Sequence, residues 1–321
     1  MRSRRSSWIL LSALALSSLV RLAGADQQPL TLGYLPITDH LTVIAQQQGT
    51  FSRANFSVVK FGSWPELAEA LKGGAIDGAF VLAPIALTLR QKGVPLRAVL
   101  LGHRNGSVIT VKIDGPIHTL ADLKGRTIAI PSRFSTHNIL LQRMLAAQHI
   151  EVDGDTHIIE LAPPEMVTAL ATGRIDAFIV AEPFGAQAEI QKVGRVLALS
   201  KDIWPDHICC VLNLRQEAID RAPEAVQEVV TALVQAAASI SADPGAAAAA
   251  SAQFLGQKPE VILHVLTEPK GRVTYAKLTP ELPDFAVTQD ALIALGLLKG
   301  PVDLAAYLEP RFAEKAYQIV K

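Results

Sequence analysis

An α/β fold of two doubly wound lobes joined by a two-segment hinge is predicted from a repeated phrase, a strand–helix alternation and two crossing points. The stretch Trp64–Pro84 returns as Pro163–Pro183, offset by 99 residues without a gap. Each copy reads as a Pro-started helix, a Gly stop, a short apolar strand and a Pro that opens the next helix. Solenoid repeats run about 20–50 residues, so this longer period suits a pair of similar lobes. Ligands of open α/β sheets sit outside the carboxyl ends of the strands. A cleft is therefore expected beside Leu82-Ala83-Pro84 on one side and Ala181-Glu182-Pro183 on the other.

The chain has 321 residues, half of them hydrophobic, enough for one large or two medium cores. Its net charge is zero, so bulk charge gives no reason to expect nucleic acid or an acidic membrane surface as partner. Arg2, Arg4 and Arg5, the apolar run Trp8–Val20 and Ala23-Gly24-Ala25 describe a secretory signal peptide over residues 1–25. A periplasmic protein is expected, by ordinary secretion rather than the twin-arginine route, and with no lipid anchor because no Cys follows the leader. Cys209 and Cys210 are adjacent and point to opposite faces of a strand. They are either packing residues or a strained vicinal disulfide, and no metal site is expected through them.

In chain order, strands are expected at Leu30–Leu35, Phe56–Phe61, Ile76–Val81 and Val94–Gly102. Helices intervene at Leu41–Gln48, capped by Thr38 or Asp39, then at Pro65–Lys72 and Pro84–Lys92. This βαβαβαβ series implies a mainly parallel sheet. Val108–Ile113 reads as a crossing strand into a second lobe. There follow strand Thr127–Ile130, a helix from about His137 to Gln148, strand His157–Leu161, the second repeat copy, helix Pro183–Lys192 and strand Arg195–Leu199. Lys201–His207 is the second crossing, and Ile208–Leu214 re-enters the first sheet. Lobe one is thus residues 26–107 and 208–321, and lobe two residues 108–207. The remainder is helical: Pro223–Ser241, a run capped by Asp243-Pro244, Pro259–Leu266, Pro283–Leu295 and an amphipathic finish over Val302–Val320.

Several residues stand where a small solute would be held. The polar loop with Ser132, Arg133, Ser135 and Thr136 precedes a helix whose free amides carry about half a positive charge, an anion seat to which Arg133 adds a full charge. Glu182 occupies the position of Ala83 in the other copy and suits an acceptor for ligand N–H groups. Trp64 and Trp204 are candidate aromatic lids; Thr38, Asp39 and His40 lie in the first loop; Asn105 and His207 lie at the crossings; Leu82 and Ala83 end a central strand. Asp77 and Asp176 match in the repeat but precede their strands and read as structural turn residues. His118, His149, His157 and His264 show no metal spacing. No nucleophile stands with a His and an acid in a recognisable signature, so neither catalytic residues nor a cofactor are expected.

The chain resembles the extracytoplasmic solute-binding proteins of ABC importers for nitrate, bicarbonate, taurine and aliphatic sulfonates, which share a fold with thiamine-pyrimidine precursor binders. The resemblance is carried by Gly33–Pro36 with His40–Gly49, Gly73–Ala79, Leu120–Gly125, Ala181–Phe184 and the tail Gly296–Ala316. Leu82–Ile85 and Asn105–Ile109 are similar to the nitrate and bicarbonate branch, whereas Asp202–Cys210 departs from it. The resemblance implies a type II periplasmic binding fold and a monomeric receptor, not an enzyme, that traps a small polar solute and delivers it to a membrane permease driven by an ATPase. The solute is either an oxyanion or a nitrogen-containing small molecule. The alternative is an enzyme on the same scaffold, like the thiamine-pyrimidine synthases or lyases of chorismate derivatives.

Overall fold

The computed structural model describes residues 27–46 and 49–320. The predicted signal peptide and the end of the first predicted helix lie outside the described residues. Strands form at Gln28–Tyr34 (β1), Ala54–Lys60 (β2), Gly78–Leu82 (β3), Leu96–Leu101 (β4), Arg104–Asn105 (β5) and Ser107–Lys112 (β6). They continue at Thr127–Ile130 (β7), His157–Glu160 (β8), Ala177–Ala181 (β9), Gly194–Leu199 (β10), Cys210–Arg215 (β11) and Val273–Thr274 (β12).

Two five-stranded sheets run in the orders β2-β1-β3-β11-β4 and β8-β7-β9-β6-β10. The orders correspond strand for strand, so the repeat seen in sequence is also a repeat of topology. In the first sheet β1 is parallel to β2 and β3; in the second β7 is parallel to β8 and β9. The exceptions are β11 and β6, each antiparallel to both of its neighbours. Each is the first strand after a crossing, and each wedges into the sheet it enters. β3 and β9 are buried at every residue, as strands covered by helices on both faces must be.

The ends of these strands are pinned by the repeated aspartates. Asp77 Oδ2 accepts from the Thr31 amide at 2.8 Å, and Asp176 Oδ2 accepts from the Thr127 amide at 2.9 Å. A helix after each copy's strand then packs on its sheet, at Ala83–Gln91 and Phe184–Ile190.

Four expectations are corrected. Val108–Ile113 is not itself the crossing: it is β6, between β9 and β10, and the chain crosses over Gly102–Gly106. The second crossing opens on a short helix, Ser200–Ile203. The tail is not one helix but two, Leu304–Tyr307 and Arg311–Ile319, parted where the Glu309 amide donates to the Ala98 carbonyl at 2.9 Å and Pro310 follows. Neither Thr38 nor Asp39 caps the first helix: Thr38–His40 is a 3₁₀ turn running into Leu41–Ala45 without a side-chain cap, and Asp39 turns to His103 instead.

The short helices Val152–Asp155 and Gln216–Arg221 lie outside those predictions, and so does a two-stranded ribbon. Its two strands, β5 and β12, pair antiparallel, so the loop around residues 268–275 lies against the first crossing. Asn105 and Gly106 take the turn there with φ of 63° and 86°, and a Cβ on Gly106 would lie 2.5 Å from Asp39 Oδ1.

Candidate functional site

A cavity of about 240 Å³ is lined by Trp64, Ile85 and Thr88 from the first half of the molecule and by Ser132, Phe134 and Glu160 from the second. Buried polar side chains come from both halves of the molecule.

On the first side His40 is held by the Leu35 amide, which donates to Nδ1 at 2.9 Å. The imidazole proton therefore sits on Nε2. Trp64, fixed at the start of the helix Trp64–Gly73 that Ser63 caps, packs edge-on against His40 with centroids 5.8 Å apart. Burial drives the His40 pKa well below its usual value, with repulsion from His103 adding to it.

On the second side Ser135 caps the helix Thr136–Ala147, its Oγ accepting from the Asn138 amide at 3.0 Å. That cap puts Thr136 and His137 in the first helical turn, both buried. His137 Nε2 meets Ser107 Oγ at 3.0 Å, and burial, reinforced by His207 and His103, brings its pKa down to about 3.

His40 Nε2, Trp64 Nε1, Thr136 Oγ1, His137 Nδ1 and His207 Nε2 are buried and have no hydrogen-bond partner among the described residues. A buried donor or acceptor left unpaired costs about 1–3 kcal/mol. Buried groups of this kind are met either by ordered water or by a bound ligand.

The candidate residues play different parts. Trp64, His40, Thr136 and His207 belong to this group of open donors and acceptors. Ser132 and Ser135 shape the loop: the Phe134 amide donates to Ser132 Oγ at 3.1 Å, and Ser135 Oγ donates to the Ser132 carbonyl at 2.5 Å. Leu82 pairs with Cys210 in the sheet, and the Ala83 amide is spent on the Cys209 carbonyl at 2.8 Å. Asn105 Nδ2 reaches the Gly271 carbonyl at 3.4 Å, while its Oδ1 is buried and unpartnered among the described residues.

Four of the predicted ligand contacts have other partners. Arg133 is exposed and faces Glu160 at 3.5 Å, so its charge lies at the surface. Glu182 is fully buried, and a carboxylate so placed needs a cation: Oε1 accepts from Arg272 Nε at 2.6 Å, while Oε2 takes the Ala186 amide at 3.1 Å. Burial still raises its pKa against the pull of Arg272. Trp204 is covered by the Arg143 guanidinium, 3.9 Å from its ring centroid. Thr38 donates through both its amide and its hydroxyl to the Glu182 carbonyl, at 2.8 and 2.9 Å, and its own carbonyl accepts from Tyr275.

Asp39 is buried against His103, with Oδ2 and Nε2 3.1 Å apart. Burial alone would lower the His103 pKa, but the Asp39 carboxylate, helped by Cys209, lifts it to about 10. Cys209 is a free thiol, as is Cys210. Burial would raise the Cys209 pKa, yet contacts from Cys210 and His103 bring it to about 7. His103, His137, Cys209 and Arg272 were not among the predicted site residues. His103 and Cys209 flank the two crossings, a position that is itself a signal in a hinged fold.

The NMT1-like family model matches residues 23–256. The nitrate import ATP-binding protein NrtC of Synechocystis sp. is 33% identical over 234 residues, 66% of this chain and 35% of that protein. The nitrate/nitrite binding protein NrtA of Nostoc sp. is 31% identical over 64% of this chain and 52% of its own length. The chain thus spans about a third to a half of the length of these two relatives. Among solved structures, a zinc-bound ligand-binding component of an ABC-type import system from Staphylococcus aureus aligns with a TM-score of 0.82 at 30% identity, over 90% of this chain and 99% of that one. The strand order, the repeated lobes and this likeness agree with the type II periplasmic binding fold. The chain belongs to the NMT1-like family.

Proposed function

We propose that the protein is an extracytoplasmic solute receptor of an ABC-type importer, and that its solute is a small oxyanion. The observation that carries this role is the set of buried, uncharged and unpartnered groups shared between the two sheets, above all Trp64 Nε1, His40 Nε2 and Thr136 Oγ1. Each can donate, and the first turn of the helix Thr136–Ala147 adds the positive end of a helix dipole. Acceptor oxygens suit such a site. A nitrogen-rich solute would be favoured by a free carboxylate, and the two buried carboxylates are matched, Glu182 by Arg272 and Asp39 by His103. The names of its relatives, which include nitrate and bicarbonate transport proteins, favour the same class.

The two lobes, one built on the sheet β2-β1-β3-β11-β4 and the other on β8-β7-β9-β6-β10, would close about the crossings Gly102–Gly106 and Trp204–Cys209. Closure is a population shift driven by solute contacts to both lobes. Micromolar capture needs about 8 kcal/mol net, and hydrogen bonds to a charged group contribute about 1.5–3 kcal/mol each. The closed receptor, a monomer released by cleavage of the leader, would dock on a permease coupled to an ATPase. No chemistry on the solute is required.

A thermal-shift series with nitrate, bicarbonate and ethanesulfonate tests this role. Solute at about 100 times its dissociation constant should add roughly 2.7 kcal/mol to stability. No shift with any of the three, or turnover of any, would count against it.

A further inference from the structure

We propose that Asp39, His103 and Cys209 form a binding site for one divalent transition-metal ion of the zinc type. A carboxylate oxygen, an imidazole nitrogen and a sulfur, one from each, lie within 4.8 Å of one another, and all three residues are fully buried. Tetrahedral zinc with bonds of about 2.0–2.3 Å holds its ligand atoms roughly 3.3–3.8 Å apart. Rotamer adjustments of an ångström or less therefore bring the three onto one ion.

A second observation points the same way. Both carboxylate oxygens of Asp39 and both ring nitrogens of His103 are buried without a hydrogen-bond partner among the described residues, although Oδ2 and Nε2 stand 3.1 Å apart. The contact has the distance of an ion pair without the alignment of a hydrogen bond. Asp39 and His103 stand as an ion pair, and a bound cation would take the place of the imidazolium charge beside the carboxylate. With carboxylate, thiolate and neutral imidazole as ligands, a 2+ ion makes the site electrically neutral. Loading releases the thiol proton and any proton on His103 to solvent.

The backbone leaves room for this. Gly106 has no side chain where a Cβ would press on Asp39 Oδ1 at 2.5 Å. Mixed sulfur, nitrogen and oxygen donors favour zinc or cobalt over calcium or magnesium. Three protein ligands leave a fourth position for water or a solute oxygen. His103 and Cys209 come from the two crossings and Asp39 from the loop after β1, so the ion would tie both hinge segments to one lobe.

The test uses the full chain, reduced and stripped with a chelator, then titrated with Co²⁺ in the absence of solute, so its outcome is separate from that of the proposed receptor role. One equivalent should bind with tetrahedral d–d bands and a thiolate-to-cobalt charge-transfer band, and Zn²⁺ should erase both. Cys209→Ser should lose the charge-transfer band, while Cys210→Ser should keep it. Should Cys209→Ser fail to fold by circular dichroism, the wild-type titration decides alone. Absence of bound cobalt in the wild type, or a charge-transfer band lost in Cys210→Ser but kept in Cys209→Ser, would overturn the assignment.

Discussion

Arg272 donates through Nε to Glu182 Oε1 at 2.6 Å, and both side chains are buried. The same two residues hold the first crossing by their backbones. The Gly106 amide donates to the Arg272 carbonyl at 2.8 Å, and the Glu182 amide donates to the Gly106 carbonyl at 2.9 Å. The ion pair thus closes a ring joining the end of β9, the hinge and the loop before β12. Breaking one side of a buried pair leaves an unmatched charge, at about 3–5 kcal/mol. Arg272→Ala should lower unfolding stability in urea by that amount. Glu182→Gln with Arg272→Met should lose less than the sum of the single changes.

The open donors make a sharper prediction. Trp64→Phe removes the indole N–H together with part of a buried bicyclic ring, so stability should fall by about 1–3 kcal/mol for the lost packing alone. Affinity for the true oxyanion should fall about tenfold to a hundredfold, the value of one hydrogen bond to a charged group. Calorimetric titration of both proteins measures this, and equal affinities would remove Trp64 from the site.

The repeated aspartates should behave oppositely. Asp176→Ala deprives the Thr127 amide of its acceptor and should cost about 1–3 kcal/mol, with solute affinity unchanged. Asp77→Ala should cost at least as much, since Asp77 also pairs with Arg221 at 2.7 Å. A loss of affinity without a loss of stability in either variant would contradict their structural assignment.

His137 gives a pH dependence. Its pKa is brought to about 3 in the folded protein, against roughly 6.5 when unfolded. Between these values the unfolded chain binds a proton that the folded one refuses. Stability is therefore unaffected by His137 above about pH 6.5 and falls by up to about 1.4 kcal/mol per pH unit below it. Urea midpoints at pH 7, 6 and 5 should drop accordingly, and His137→Gln should reduce the slope by its own share of up to about 1.4 kcal/mol per pH unit, leaving that of His40 and His207, whose pKa values are also depressed. An unchanged slope would show that His137 is charged in the fold.

The elements legible in the sequence were those with local signatures. The repeat located β3 and β9 and their aspartates, and the polar stretch before residue 137 announced a helix cap, realised by Ser135. What escaped was non-local. β5 and β12 are two residues each and pair across most of the chain, too short to show any periodicity. Glu182 looked free for a ligand because its partner lies 90 residues away. Arg133 looked like the anion's charge because loop position does not reveal which way a long side chain turns. Asp39, His103 and Cys209 meet only because the two crossings return to the first loop.

The receptor role is tested most directly by calorimetric titration of the full chain with nitrate, bicarbonate and ethanesulfonate, repeated on Thr136→Val. At least one of the three should bind with micromolar affinity, weakened at least tenfold when the Thr136 hydroxyl is removed. If none binds at millimolar concentration, or if the variant binds as the wild type does, the buried donors do not hold an oxyanion.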